Sequence, residues 1–378
     1  MYQSSYYRVS DDWFAFIFLT RPVKREYKMK KKIVHIVESF GSGVLSYLSD
    51  LVSGLADDYD ITILYGERQQ TPKNINDYFP SNVKLIKINN FTRNINPVKD
   101  IRATLEIRGL LRKIDPDIIH LHSSKAGVLG RLIHYKKHQK VFYTPHGYAF
   151  LNEADSKIKH LIYYDAEKIL GFRNIETIAC SKSEYLSSLK VTKHSKYINN
   201  SINTHKLDTF FSDDSNTQDV VFTVGRIDEQ KNPLLFNEIA ELMPNMKFIW
   251  FGDGNQRSLL TANNIKVTGW LPREELLQKT QKYKYFILTS KWEGLPISLL
   301  EAMYFKKICF VTNVAGNKDT IIDKVDGYCF DTTKQFLEDF ESRDVGLGLA
   351  AHKKIQKEFS RERMLGEYIE TYERHNND

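Results

Sequence analysis

From Ile33 onward the chain alternates short, continuous apolar runs with longer stretches in which apolar residues recur at helical spacing. Runs of this kind, each followed by a turn and mostly by an amphipathic helix, are the pattern of βαβ units, whose parallel strands are covered on both faces. In the first half the predicted strands span 33–37, 61–65, 83–88, 118–122, 141–144 and 177–180. Periodicity breaks across 199–218, where polar residues and the Ser212 to Ser215 cluster intervene, and a second series then begins at 220–224, 247–251, 265–268, 285–289, 308–312 and 327–330. The pattern predicts two similar α/β halves joined by a linker. At the end, Met364, Leu365, Tyr368, Ile369 and Tyr372 stand at helical spacing within 361–375 and predict a closing helix.

Length agrees, since 378 residues exceed what one core usually organises. Cys180, Cys309 and Cys329 show neither CxxC nor Cys/His spacing, which argues against a disulfide framework or a zinc site and for a reducing compartment. Charge divides the chain: residues 1–200 carry 31 Lys+Arg against 20 Asp+Glu, a balance of +11, whereas 201–378 carry 23 against 27, a balance of −4. The basic half should attract anions, with an anionic membrane face, a lipid diphosphate and nucleic acid as the candidates and a solvated basic surface without a partner as the alternative. Nucleic acid is disfavoured because aromatic platforms interleaved with basic residues are not evident. The apolar stretch Trp13 to Leu19 is far short of the ~20 residues that cross a bilayer, and it follows Asp11 and Asp12 without a cleavage signal. Residues 1–28 are open to two readings: an upstream extension ahead of Met29, or an interfacial segment built on Trp13, Phe14, Phe16 and Phe18.

In open parallel sheets, ligands bind beyond the carboxyl ends of the strands. Two motifs in the second half lie there. Glu293-Gly294-Leu295-Pro296 leads from a strand into a helix that Pro296 suits at its first turn, with Glu301 about two turns inside. Such carboxylates can accept hydrogen bonds from separate hydroxyl-bearing parts of one ligand, while the helix N-terminus between them faces phosphate. Arg226 and Lys231 flank a tight loop after 220–224; a planar fork and a point charge there can converge on one diphosphate and stabilise its departure without a metal.

In the first half, Gly41-Ser42-Gly43 follows the first strand and opens a helix, but Ser46 replaces the third glycine of a dinucleotide fingerprint. His120, His122 and Lys125 follow one strand and His146 the next, so the histidines are expected at strand ends facing a cleft, with a satisfied structural histidine as the alternative reading of His122. Asp115 and Asp117 precede a strand and read as a turn, not a metal pair.

Together these residues resemble the retaining GT-B glycosyltransferases, in particular glycosyltransferase family 4. Glu293 and Glu301 match its E-x7-E motif, Arg226 and Lys231 its paired cations, and Gly252-Asp253-Gly254 its glycine turn. The resemblance runs from Lys32 to near the end of the chain and implies two Rossmann-like domains facing a central cleft, with the last helix packing back on the first domain. It places an extension at 1–31, an acceptor domain at 32–203, a nucleotide-sugar domain at 204–360 and a crossover helix at 361–378. It implies that Glu301 binds the ribose, that Glu293, with Gly294 and Leu295 beside it, takes the donor sugar, that Arg226 and Lys231 take the diphosphate, and that Gly252, Trp270 and Leu271 line the nucleotide pocket. Gly41, Ser42 and Gly43 become the loop between acceptor and donor phosphates, with His122 and Lys125 beside it, and His146 approaches the reacting sugar.

The function expected from resemblance and charge is metal-independent transfer, with retention, from a UDP-sugar to a lipid-diphosphate-linked saccharide in bacterial capsule or envelope synthesis. No cofactor is expected. The protein is expected in the cytoplasm, on the inner face of the membrane. Two alternatives stay open: a sugar-nucleotide epimerase of the same fold, and a non-catalytic nucleotide-sugar binding protein.

Overall fold

A computed structural model describes residues 29–374, apart from 39, 69–70, 93–94, 152–156 and 212–216 and the side chain of Ser42. The segment 1–28, with Trp13 to Leu19, and the Ser212 to Ser215 cluster lie outside the described residues.

The first sheet comprises β1 (Lys32–Val37), β2 (Asp60–Tyr65), β3 (Lys84–Lys87), β4 (Ile118–His122), β5 (Lys140–Thr144), β6 (Glu176–Ala179) and β7 (Ser195–Tyr197), ordered β3-β2-β1-β4-β5-β6-β7 with every pairing parallel. The second comprises β8 (Gln218–Val224), β9 (Lys247–Phe251), β10 (Ile265–Val267), β11 (Tyr283–Leu288), β12 (Ile308–Thr312) and β13 (Tyr328–Phe330), ordered β10-β9-β8-β11-β12-β13, again all parallel. In both sheets the order reverses beside the first strand, between β1 and β4 and between β8 and β11. Loops diverge to opposite faces at such a point and leave a crevice at the carboxyl ends of the strands. The strands follow the apolar runs because each must be covered on both sides; β1 is buried from Ile33 to Val37. β7 carries Ser195, Lys196 and Tyr197, a polar edge that the apolar pattern did not mark.

The helix Arg361–Glu373 buries Met364, Tyr368 and Tyr372 in the core of the first half, against Tyr47, Leu48 and Leu51 of the helix Ser42–Leu55. Removing an aromatic side chain of this size from water contributes about 1.5–3 kcal/mol, so the last residues of the chain stabilise its first sheet. The crossing is fixed by backbone bonds: Ile202 N–H donates to Phe359 and Arg361 N–H to Ile202, both at 3.1 Å. Within the linker region Thr204–Asp208 forms a short helix whose Leu207 is buried in the second half's core.

Candidate active site

The loop after β8 is closed by backbone-to-backbone contact with the loop after β9. Gly252 has φ 140°, and a Cβ there would lie 1.9 Å from Gly225 O; one at Gly254 would lie 2.1 Å from Ile227 O. Only glycine fits, and the close approach fixes where Arg226 and Lys231 emerge. Lys231 N–H donates to Asp228 Oδ1 at 3.2 Å, and Thr289 Oγ1 donates to Lys231 O at 2.8 Å, so the loop is held from both sides. Among the described residues, Arg226 Nε is buried without a hydrogen bond, 3.4 Å from Asp228 Oδ2, and the side chain as a whole is 39% exposed.

Lys231 Nζ lies 2.6 Å from Glu293 Oε1, joining the two motifs in one ion pair. Ser290 Oγ donates to the same oxygen at 2.6 Å. Gln230 Nε2 donates to the carbonyl of Trp292 at 3.0 Å and ties the Glu293 loop to the cation loop. Gly316, at φ 81°, lies so close beneath that a Cβ would meet Gly294 O at 2.4 Å, and Leu295 is buried with its carbonyl accepting from Asn200 Nδ2 at 3.2 Å. Pro296 stands immediately before the helix Ile297–Tyr304, so Glu301 sits one turn in rather than the two expected from sequence. Its carboxylate is nearly enclosed and is gripped by both terminal nitrogens of Arg273, Nη1 donating to Oε2 at 3.0 Å and Nη2 to Oε1. Trp270, three residues before the helix Arg273–Thr280, is 57% exposed, and Leu271 beside it is half-buried.

In the first half, Gly41 is buried at the start of the helix Ser42–Leu55, with no side-chain cap and no acidic residue in the first turn. The leading N–H groups of such a helix suit an anion. Gly43 is exposed, and nothing lies within 4 Å of the place its Cβ would take. Lys125 is drawn the other way: Nζ lies 2.7 Å from Asp100 Oδ1 and 2.5 Å from the carbonyl of Thr92, with the side chain 13% exposed.

The histidines divide. His120 and His122 stand at a strand end but, contrary to the cleft-facing expectation, both are fully buried on the sheet face under the helices Ser42–Leu55 and Arg361–Glu373, which for His122 is the structural alternative. The reason is register. Residues two apart on β4 share a face, and His120 lies beside His35 of β1 on the same side as Ile33 and Val37. His120 Nδ1 meets Tyr372 OH at 2.7 Å and Nε2 meets Thr144 Oγ1 at 2.8 Å. His146 occupies the turn after β5 at φ 53°, half-buried, with its ring edge-on to Tyr47 at 4.7 Å between centroids. Its Nε2 is 3.2 Å from His122 Nδ1, and His122 Nε2 is 3.0 Å from His35 Nδ1. Burial pushes all four imidazoles below their ordinary range, so each is neutral near pH 7.

The halves meet at this turn. A Cβ on Gly294 would lie 3.3 Å from Cys180 Sγ, 3.8 Å from Gly147 N and 4.0 Å from the carbonyl carbon of His146. Buried Glu184 ties the N-terminal side together, accepting from Gly147 N–H at 2.5 Å and Cys180 N–H at 2.6 Å. Ser183 donates through its backbone N–H and its Oγ to Asp319 of the second half at 2.7 and 2.8 Å. The structure therefore gathers His146, Gly294, Glu293 and Lys231 at one junction and leaves Lys125 and His122 outside it. Sequence reasoning missed Arg273, Glu184 and His35. Each acts through a partner remote in sequence; only the histidine inside the apolar run of β1 carried a signal, a polar residue where none was needed.

Among the described residues, His35, His120 and His122 bring ligand nitrogens within 4.8 Å of one another. Apart from His35 Nε2, these nitrogens are already engaged in hydrogen bonds. No helix among the described residues is long and apolar enough to cross a membrane.

Two family models match the chain in succession: Glycosyltransferase Family 4 over residues 41–206 and Glycosyl transferases group 1 over residues 206–342. A UDP-Gal:alpha-D-GlcNAc-diphosphoundecaprenol alpha-1,3-galactosyltransferase of Escherichia coli is 28% identical over 305 residues, covering 72% of this chain and 76% of the relative. The capsular polysaccharide biosynthesis glycosyltransferase CapH of Staphylococcus aureus is 26% identical over 238 residues, covering 56% of this chain and 63% of the relative. Among solved structures, a sucrose-phosphate synthase of Thermosynechococcus elongatus superposes with a TM-score of 0.75 at 14% identity, over 91% of this chain and 98% of that one, a likeness that shows the fold. With one family model on each half, meeting at the linker, and the paired cations and carboxylates at the junction between two Rossmann-like sheets, the chain belongs to the family 4, group 1 glycosyltransferases of GT-B fold.

Proposed function

We propose that this glycosyltransferase moves a hexose from a UDP-sugar, with retention and without a metal, onto a saccharide carried on a lipid diphosphate, in the assembly of a bacterial capsular or envelope polysaccharide. The observation that carries the reading is the junction where Lys231 and Glu293 of the donor half meet the His146–Gly147 turn of the acceptor half. A sugar lying there has a carboxylate on one side and an imidazole on the other. Its diphosphate falls between Arg226 and Lys231, and two fixed cations stabilise the charge that builds as the nucleotide leaves. The exposed indole of Trp270 offers a face for a base, and Glu301, oriented by Arg273, offers acceptor oxygens for a ribose. The donor and lipid acceptor named for the Escherichia coli relative support the substrate classes.

An anionic membrane surface is the second partner, which would put the protein at the inner face of the cell membrane. In the acceptor half, Ile158, Leu161, Ile162, Ile169 and Phe172 are all well exposed on and just after the helix Lys157–Leu170, among Lys157, Lys159, Lys168 and Arg173. Apolar side chains ringed by cations suit an interface of acyl chains under anionic headgroups.

The reading is tested by thermal stabilisation of the purified protein with a panel of nucleotides and nucleotide sugars, comparing Arg226→Ala and Glu301→Ala. The expected result is a shift with UDP and one UDP-sugar that both substitutions abolish. A shift confined to another nucleotide, or undiminished in both variants, would remove the donor assignment.

A further inference from the structure

The imidazole chain ending on His146 has a direction, and that direction is decided away from the cleft. A neutral imidazole carries one N–H and one lone pair, and each contact between two rings needs one of each. His122 therefore allows two arrangements. With its proton on Nδ1, it donates to His146 Nε2 across 3.2 Å and accepts from His35 Nδ1–H across 3.0 Å. With its proton on Nε2, both bonds reverse, and His35 must carry its proton on Nε2.

His35 Nε2 distinguishes the two. It is fully buried and has no partner among the described residues. The first arrangement leaves a bare lone pair there and the second a bare N–H, and buried donors without partners are the rarer and costlier case in folded proteins. The chain thus runs outward, from His35 through His122 to His146. The side chain of His146 then accepts at Nε2, and its proton must sit on Nδ1. No contact to Nδ1 is found among the described residues, and the ring is half-buried beside the Gly294 loop. The T-shaped contact with Tyr47 and the left-handed backbone of His146 hold the ring in this pose.

We propose that His122 and His35 are positioning residues for the transfer reaction: a buried imidazole pair that fixes His146 as its Nδ1–H tautomer, so that it presents a hydrogen-bond donor to a sugar hydroxyl and not a base. The proposal rests on the reading of His146 as the residue that meets the sugar. It goes further in assigning the proton and naming the residues that place it. Neither reaches the cleft, so their influence passes through the His146 ring alone.

The test is a long-range proton–nitrogen correlation spectrum of the full chain labelled with nitrogen-15 histidine, recorded at pH 7 without ligand, with His146 assigned by the signal lost in His146→Ala. The expected wild-type pattern is a protonated Nδ1 and a bare Nε2 on His146. His122→Phe keeps an aromatic ring but removes both bonds, and should return His146 to the Nε2–H form that histidine prefers in water. His122→Gln, with an amide N–H for His146 and a carbonyl for His35, should preserve the Nδ1–H form. A protonated Nε2 on His146 in wild type, or a His146 pattern unchanged in His122→Phe, overturns the proposal. In parallel, UDP release from UDP-glucose, UDP-galactose and their N-acetylated counterparts, with water taking the sugar in place of the acceptor hydroxyl, should fall about tenfold in His122→Phe, as expected for one misplaced hydrogen bond. No further fall should follow when His146 is already alanine. An equal fall in both backgrounds assigns His122 a merely structural role and also overturns the proposal. If no donor yields UDP, the transferase reading of the site fails, while the spectrum still decides the tautomer.

Discussion

At the scale of single residues, the candidate site is a set of paired charges. Glu301 and Arg273 show why pairing matters: the carboxylate's side chain is 8% exposed and takes two hydrogen bonds from one guanidinium, which fixes the direction of its oxygens. Arg273→Ala would leave a nearly buried carboxylate uncompensated. The cost, reduced because Arg273 is itself 39% exposed, should be about 2 kcal/mol in urea unfolding. Adding Glu301→Gln to that variant should recover most of it, because a neutral amide has no counter-ion to lose. Equal stability of wild type and Arg273→Ala would show that the pair contributes nothing to the fold.

At the scale of elements, two glycine-bearing loops behave oppositely although both look alike in sequence. Gly252 closes the contact between the loops after β8 and β9, so Gly252→Ala forces a Cβ onto Gly225 O at a φ that L residues avoid. A loss of more than about 2 kcal/mol is expected, with Tm reporting it. Gly43 faces open space in the first turn of the helix Ser42–Leu55, where alanine should hold or raise stability by up to ~1 kcal/mol. If a phosphate or sugar approaches that turn, Gly43→Ala will lower UDP release while its Tm stays level or climbs. Unchanged UDP release would take the turn out of the ligand's path.

At the scale of the whole molecule, charges meet where the two sheets' helices come together. Asp50, on the helix Ser42–Leu55, is pushed up to about 6 by burial, and Glu301 adds to the rise while Arg361, Arg273 and Lys206 oppose it. The folded state therefore holds this proton more tightly than the unfolded chain, whose aspartate titrates near 3.8. The ionised carboxylate costs stability above pH 6, and the cost fades as pH falls through 6 toward 4. Asp50→Asn should raise Tm by about 2 °C at pH 8 and leave it unchanged at pH 4; an equal difference at both pH values would assign the effect to something other than this proton. Charge also acts over longer range, through the excess of Lys and Arg in residues 1–200. Co-sedimentation with phosphatidylglycerol vesicles should fall steeply as salt rises from 50 to about 500 mM, since the Debye length shrinks to a few ångströms. Retention at high salt would assign the binding to apolar contact, with the exposed apolar face of the helix Lys157–Leu170 as the anchor among the described residues.

Much of this molecule is written locally. Parallel strands need burial on both faces, so β4, β9 and β12 coincide with their apolar runs residue for residue, and the closing helix shows itself in the spacing of Met364, Tyr368 and Tyr372. Loops at strand ends were likewise legible, because Arg226, Lys231, Glu293 and Glu301 stand at fixed offsets from those runs, and offset alone brings such residues to one edge of a sheet. What a linear pattern does not contain is which strand lies beside which, and on which face. His35 and His120 are 85 residues apart, yet neighbours in register, and only strand order puts them there. That order buried His122, turned Lys125 toward Asp100, set Arg273 on Glu301 and drew Gly294 against the His146 turn. Periodicity is a property of each segment and survives being read one segment at a time; contact is a property of pairs, and the pairing energy that selects them exists only once the chain has closed on itself.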